Sequence, residues 1–213
     1  MNNNISSEKA IISSLKYLEK KGMNIGSEGN VSIRTKNGFF ISPSAFKPSE
    51  LKKENIPLLN LNGKNTGSVK PSSEWKMHLV IYKKLKNIKA IVHTHSLWAS
   101  CLSCFRENIP SFHYMIAELG GNDIKCSSYA TFGTKKLAEN VLKALYKRNG
   151  CLLANHGQIT VGKNLDEAIA FAESLEKLSK QYFFCRMFGK PRLLNNKQMN
   201  EVIDLFSSYK SKH

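Results

Sequence analysis

The stretch Ala90-Ile91-Val92-His93-Thr94-His95-Ser96 constrains this chain more than any other. Its apolar start reads as a short buried strand, and the strand ends in two histidines. Residues two apart in a strand point to the same face. At a rise of about 3.3 Å per residue, their Cα atoms stand about 6.6 Å apart. Imidazoles so spaced can converge on one Zn²⁺, at Zn–N distances of about 2.0–2.1 Å. An isolated His-x-His is more often an ordinary strand end. A third histidine changes the balance. His156 follows another apolar run, Cys151-Leu152-Leu153-Ala154, and precedes Gly157.

The chain has 213 residues, a length that suits one compact domain with a sizeable core. With 41% hydrophobic and 23% charged residues, its composition is globular rather than disordered. No apolar run is long enough to span a bilayer. The start Met1-Asn2-Asn3-Asn4 lacks the basic and apolar regions of a signal peptide. A cytoplasmic protein with no membrane partner is the expectation. The five cysteines are an odd number, which argues against a disulfide framework. Cys101-Leu102-Ser103-Cys104 has no second C-x-x-C to complete a zinc site and reads as two small residues on a helical face. The net charge of +16 comes mostly from scattered lysines, without an arginine-rich stripe or a nucleic-acid-binding module. A solvated lysine surface, able to attract an anionic substrate, is preferred over a nucleic-acid partner.

Residues 6–21 form an amphipathic pattern, with Ala10 or Ile11, Leu15 and Leu18 on one stripe and Gly22 as the stop. A strand begins at Val31, and Asn37-Gly38 predicts a two-residue hairpin turn into Phe39-Phe40-Ile41. Residues 56–61 read as another strand. Pro71-Ser72-Ser73-Glu74 opens a helix with a serine cap and an acid in the first turn. A helix is expected over 97–105, and strands over 112–116 and 124–126. Helices follow over 134–147 and from the Asn164 cap to Phe188-Gly189, and a last short one covers 197–207 before a tail. Between them, 151–154 and 158–161 pair around Asn155-His156-Gly157. The interleaving implies a layered α/β domain with a mixed, largely antiparallel sheet.

Several polar residues fall at element ends. Asn30 lies beside Gly29 before a strand, Ser44 in a loop after one, and Ser72 and Ser73 at a helix start. Each alone is an ordinary cap or turn residue. Together, hydroxyls, an amide and unpaired backbone N–H groups suit an anion such as phosphate. Glu74 follows at once. Facing a metal, it can serve as ligand or general base. A metal held by three histidines keeps positions open to polarise a carbonyl and stabilise an enediolate.

These segments resemble the class II aldolase/adducin family. The likeness rests on Glu28-Gly29-Asn30-Val31-Ser32, Pro71-Ser72-Ser73-Glu74-Trp75, Val92-His93-Thr94-His95 and Asn155-His156-Gly157. The stretches His113-Tyr114-Met115-Ile116, Gly120-Gly121-Asn122 and Tyr129-Ala130-Thr131-Phe132-Gly133-Thr134 point to its aldolase branch, and the likeness spans nearly the whole chain. The resemblance implies a three-layer α/β/α sandwich, assembled as a homotetramer with sites between subunits. It implies that His93, His95 and His156 bind zinc. It implies that Glu74 binds the metal in the empty enzyme and acts as base once substrate is bound. Gly29, Asn30, Ser44, Ala45, Ser72 and Ser73 match the phosphate cradle. Tyr114 matches a tyrosine that serves the aldehyde oxygen of a neighbouring subunit's site, and Phe132, Phe206 and Tyr209 match groups at the aldehyde end. The implied reaction cleaves a ketose 1-phosphate, L-fuculose 1-phosphate first, to dihydroxyacetone phosphate and L-lactaldehyde.

One position departs from the family pattern. Ala45 stands where glycine is usual, and if that position needs φ > 0 alanine costs about 1 kcal/mol or more. Alternatives within the superfamily are L-ribulose 5-phosphate 4-epimerases and methylthioribulose-1-phosphate dehydratases. Outside catalysis, the alternatives are an adducin-like scaffold that has lost its metal site and a basic nucleic-acid-binding domain.

Overall fold

The computed structural model describes residues 6–211, and for residues 207 and 209–211 the backbone alone. Seven strands form one sheet: β1 (Asn30–Arg34), β2 (Gly38–Ile41), β3 (Leu58–Asn60), β4 (Ala90–Thr94), β5 (Cys126–Ser127), β6 (Gly150–Leu153) and β7 (Gly157–Gly162). Their order is β3-β2-β1-β4-β7-β6-β5. Only the β5–β6 pair is parallel. The apolar stretch Ala90–Thr94 is therefore the middle strand, buried along its whole length. It pairs antiparallel with β1 and β7, and Asn30 and Ile159 stand opposite His93.

Helices cover both faces. They are α1 (Ser7–Lys20), α2 (Trp75–Lys84), α3 (Leu97–Ser103), α4 (Lys135–Ala144), α5 (Leu165–Met187) and α6 (Asn196–Ser211). Alternation along β4 divides the layers. Ile91 packs with Met77, Ile81 and Tyr82 of α2 and Leu137 and Val141 of α4. Ala90 and Val92 pack with Ile11, Leu15 and Leu18 of α1 and Ala168 and Ala172 of α5. Beyond them, α3, α5 and α6 close over Leu152 of β6. The layered α/β arrangement expected from the interleaved pattern is present, in the three layers that the family resemblance implied. Among the described residues no helix is long and apolar enough to cross a membrane. All five cysteines are free, as their odd number implied.

Local expectations fail in four places, the first at α2, where the N-cap is Glu74 itself and neither the serine cap nor an acid in the first turn is present. The β1–β2 hairpin pairs Arg34 with Phe39, so its turn is centred on Lys36-Asn37 rather than Asn37-Gly38. Neither central residue has positive φ, so the mirror-image turn that Asn-Gly favours is not formed. Gly38 instead opens β2, where a Cβ would lie 2.0 Å from the Leu59 carbonyl oxygen of β3. The glycine signal came from a strand contact, which local sequence does not display. Residues 112–116, expected as a strand, pass into a 3₁₀ segment, Tyr114–Leu119, whose apolar residues pack beneath α5 and α6. Alternating apolar residues in so short a run do not separate the two conformations. The last helix reaches Ser211 and includes part of the expected tail.

Gly38→Ala is expected to lower unfolding stability by about 1–3 kcal/mol, because the new methyl meets fixed backbone. Denaturant titration measures this, and an unchanged midpoint would show that β3 shifts without cost.

Candidate metal centre and anion cleft

His93, His95, His156 and Glu74 converge at the carboxyl end of β4. Their ligand atoms all lie within 4.8 Å of one another. His95 Nε2 stands 3.1 Å from His93 Nε2 and 3.0 Å from His156 Nε2. Glu74 Oε2 lies 3.0 Å from His93 Nε2, and Oε1 lies 3.5 Å from His156 Nε2. Three elements supply these groups. β4 ends at Thr94, with His95 just beyond. His156 occupies the β6–β7 turn, and Glu74 is the residue at the N-cap of α2. That turn can press against β4 because Gly157 has no side chain: a Cβ there would lie 2.4 Å from the Thr94 carbonyl.

The donor chemistry suits a cation. His93 Nδ1 is 2.7 Å from the Gln158 carbonyl, which only accepts, so Nδ1 carries the proton and Nε2 turns its lone pair inward. Glu74 Oε1 is buried without a hydrogen-bond partner. Three imidazole nitrogens and a carboxylate therefore face a common point. The set is one that Zn²⁺ accepts. Burial, with the neighbouring imidazole of His93, pushes His95 down to about 4 and His156 down to about 3, so both are neutral and ligand-ready at neutral pH. Burial alone would raise the Glu74 carboxyl, but a positive charge beside it, carried by the His93 imidazole when no cation is bound, draws it well below the usual carboxylate range, and the carboxylate in turn raises His93.

A cleft of about 500 Å³ opens over this cluster. It gathers Gly29, Asn30, Ser44, Ala45, Ser72, Ser73 and Phe132 with Glu74, His95 and His156. The backbone N–H groups of Ser44 and Ser72 are taken by the carbonyls of Lys70 and Ser42. The hydroxyls of Ser44 and Ser73 remain at the cleft, and that of Ser72, which accepts from the Glu74 backbone N–H at 3.3 Å, keeps its own proton to donate. Among the described residues, no acceptor meets the N–H groups of Gly29, Ala45 or Ser73. Among the described residues, no lysine or arginine lines the cleft. An anion there would be held by hydroxyls, an amide and backbone dipoles.

Not every expected residue joins this cleft. Tyr114 is half exposed, stacks on His113 and does not line it. Phe206 packs with Tyr182 and Met199 on the α5–α6 side. The Tyr209 side chain lies outside the described residues. Conversely, sequence reading passed over Asn24, whose Oδ1 accepts from the His95 backbone N–H at 2.9 Å. It also passed over Tyr129 and Asn155, which line the cleft, and His78, considered below. Spacing offered one of these: His78 is four residues past Glu74, on the same helical face.

Comparison with known proteins agrees with this geometry. A family profile described as Class II Aldolase and Adducin N-terminal domain matches residues 9–183. The chain is 40% identical over 200 residues to the L-fuculose phosphate aldolase of Haemophilus influenzae, covering 93% of each. It is 38% identical over 205 residues to the 5-methylthioribulose-1-phosphate/5-deoxyribulose-1-phosphate aldolase of Rhodospirillum rubrum, covering 96% of this chain and 93% of that one. A solved structure of an L-fuculose 1-phosphate aldolase matches with a TM-score of 0.91 at 37% identity, covering 94% of this chain and 96% of the other. The chain belongs to the class II aldolase and adducin family. Within it the chain is an aldolase, a carbon–carbon lyase, with a Glu/His₃ metal-binding group.

Ala45 has φ +64°, so the position does demand the left-handed conformation that glycine takes more cheaply. Ala45→Gly is expected to raise the thermal midpoint by about 2–4 °C, from relief of about 1 kcal/mol of strain. A fall in the midpoint on calorimetry would show that chain entropy outweighs the strain.

Proposed function

We propose that this chain is a zinc-dependent aldolase that cleaves a ketose 1-phosphate to dihydroxyacetone phosphate and a small aldehyde. The observation that carries the reading is the buried Glu74, His93, His95 and His156 cluster at the floor of a cleft with open anion donors. Zn²⁺ held by these four residues would act as a Lewis acid toward the substrate's carbonyl side and stabilise the enediolate. The phosphate is held by the hydroxyls of Ser44, Ser72 and Ser73, the Asn30 amide and the N–H groups of Gly29 and Ala45. This fixes the first three carbons over Glu74. In cleavage, the hydroxyl on carbon 4 loses its proton and the bond between carbons 3 and 4 breaks. Its electron pair passes into the enediolate, and the proton released from that hydroxyl, taken up by the Glu74 carboxylate, is delivered to carbon 3.

L-Fuculose 1-phosphate would release L-lactaldehyde, and 5-deoxyribulose 1-phosphate would release acetaldehyde. Both share the phosphorylated half and end in an apolar carbon. Relatives named for each type match this chain at similar identity, so the reading places recognition in the shared half. Phe132 borders the aldehyde end. Tyr114 reaches that end from an adjoining subunit of a homotetramer. Supporting this is the exposure of Tyr114 away from its own chain's cleft.

A panel of ketose 1-phosphates, read by coupled detection of dihydroxyacetone phosphate, tests the assignment. Cleavage of at least one 6-deoxy or 5-deoxy substrate is expected. Epimerisation of L-ribulose 5-phosphate, or dehydration of methylthioribulose 1-phosphate, without any dihydroxyacetone phosphate would overturn it. Glu74→Gln should lower turnover by roughly 10²–10⁴ while losing less zinc than His95→Ala. Near-normal turnover would remove Glu74 from proton transfer.

Tyr114→Phe and Glu74→Gln oligomers should each be weak. Co-expression should yield mixed assemblies in which some sites carry both intact residues, with activity above the sum of the parents. Hybrids that demonstrably form without any recovery would place Tyr114 within its own subunit or outside the reaction.

A further inference from the structure

A line of polar side chains runs through the otherwise apolar contact between β1 and α2. On β1, Asn30, Ser32 and Arg34 are spaced by two and share a face. On α2 and its cap, Glu74, His78 and Tyr82 are spaced by four and share a stripe. The two periods come into register. Arg34 closes the far end, donating to the carbonyls of Tyr82, Leu85 and Ile88 at the helix C-terminus. The remaining groups are all buried, with Ser32, His78 and Tyr82 at 0% exposure and Asn30 at 2%.

Chemistry fixes the direction of each bond. A carboxylate only accepts, so the Asn30 Nδ2 donates to Glu74 Oε2 at 3.1 Å. Asn30 Oδ1 therefore faces His78 Nε2 at 2.5 Å, and since Oδ1 only accepts, Nε2 carries the proton. Burial pushes the His78 imidazole down to about 3, so the ring is neutral and Nδ1 is an acceptor. It receives the Ser32 hydroxyl proton at 2.6 Å, and Ser32 Oγ in turn accepts from the Tyr82 hydroxyl at 2.8 Å. The chain of bonds has one consistent polarity. A flipped Asn30 amide would set oxygen against the Glu74 carboxylate and N–H against N–H.

We infer that His78 is a positioning residue: locked as the Nε2–H tautomer by Ser32 and Tyr82, it holds the Asn30 amide with its N–H on Glu74 Oε2. The inference rests on the proposed role of Glu74. Its consequence is a difference between the two carboxylate oxygens. Oε2 is anchored by Asn30 and faces His93, whereas Oε1 has no hydrogen bond. Oε1 is the oxygen left to move a proton. Without His78 the Asn30 amide turns, and the carboxylate loses its fixed orientation.

The test compares full-length, zinc-loaded wild type with His78→Gln, His78→Asn and Ser32→Ala. Glutamine places an N–H near the position of Nε2, whereas asparagine reaches only the position of Nδ1. In His78→Gln, kcat should stay within about threefold of wild type, whereas His78→Asn should lose about 10–100-fold, mostly in kcat rather than KM. Ser32→Ala should fall between them. Zinc content should be unchanged in all, and the two His78 variants should have similar thermal midpoints. NMR of the Asn30 side-chain amide provides a readout independent of turnover. Its two protons should be slow to exchange and strongly inequivalent in wild type and His78→Gln, and should lose both properties in His78→Asn.

An Asn30 amide signal identical in all four proteins would overturn the inference. So would equal kcat losses in His78→Gln and His78→Asn, which would mark a packing role. If His78→Asn does not fold, Ser32→Ala against wild type decides on the same amide signal. A wild type that cleaves no ketose 1-phosphate would instead refute the proposed function, and the amide and zinc measurements would still decide the role of His78.

Discussion

The arrangement depends on bringing electron-rich atoms together where water is scarce. His95 Nε2 lies 3.0–3.1 Å from two other imidazole nitrogens, and a carboxylate completes the ring. Neutral imidazoles and a carboxylate at such distances repel unless a cation or shared protons lie between them. Such a cluster persists only if the scaffold over-determines it. The middle strand does this for His93 through pairing on both sides, and the Gln158 carbonyl fixes the ring's tautomer. Asn24 holds the backbone of His95, and the tight β6–β7 turn delivers His156.

The β1–α2 contact supplies the fourth group. Helix α2 cannot slide along β1 without breaking the Arg34 bonds at one end and the Asn30–Glu74 bond at the other. Buried polar groups are costly unless each is paired, and here donors and acceptors match from Tyr82 to Glu74. The exception is Glu74 Oε1. An unpaired buried oxygen is the arrangement expected where a residue can take part in holding a cation.

Charge is distributed in a complementary way. The chain carries a net +16, yet among the described residues no lysine or arginine lines the cleft. The surface charge raises the local concentration of an anionic substrate. In the proposed reading the cleft would hold that substrate by directed hydrogen bonds, which set position more narrowly than a flexible ammonium would. Ala45 adopts φ +64° within this cradle, a local strain accepted at the site itself.

The sequence by itself determined the buried strand with two histidines on one face, the third histidine before a glycine, the acid at a helix start and the layered α/β class. Each of these follows from periodicity or capping, which are local rules. The sequence also contained the polar spacing by two from Asn30 and by four from Glu74, but neither pattern names its partner. Only the tertiary structure decided that they meet, because the contact joins residues 44 to 50 positions apart. It also decided that Gly38 serves a strand contact rather than a turn, that Tyr114 lies on a 3₁₀ segment away from its own cleft, and that Ala45 is left-handed. Those outcomes turn on close approach between distant segments, which no local pattern of residues encodes.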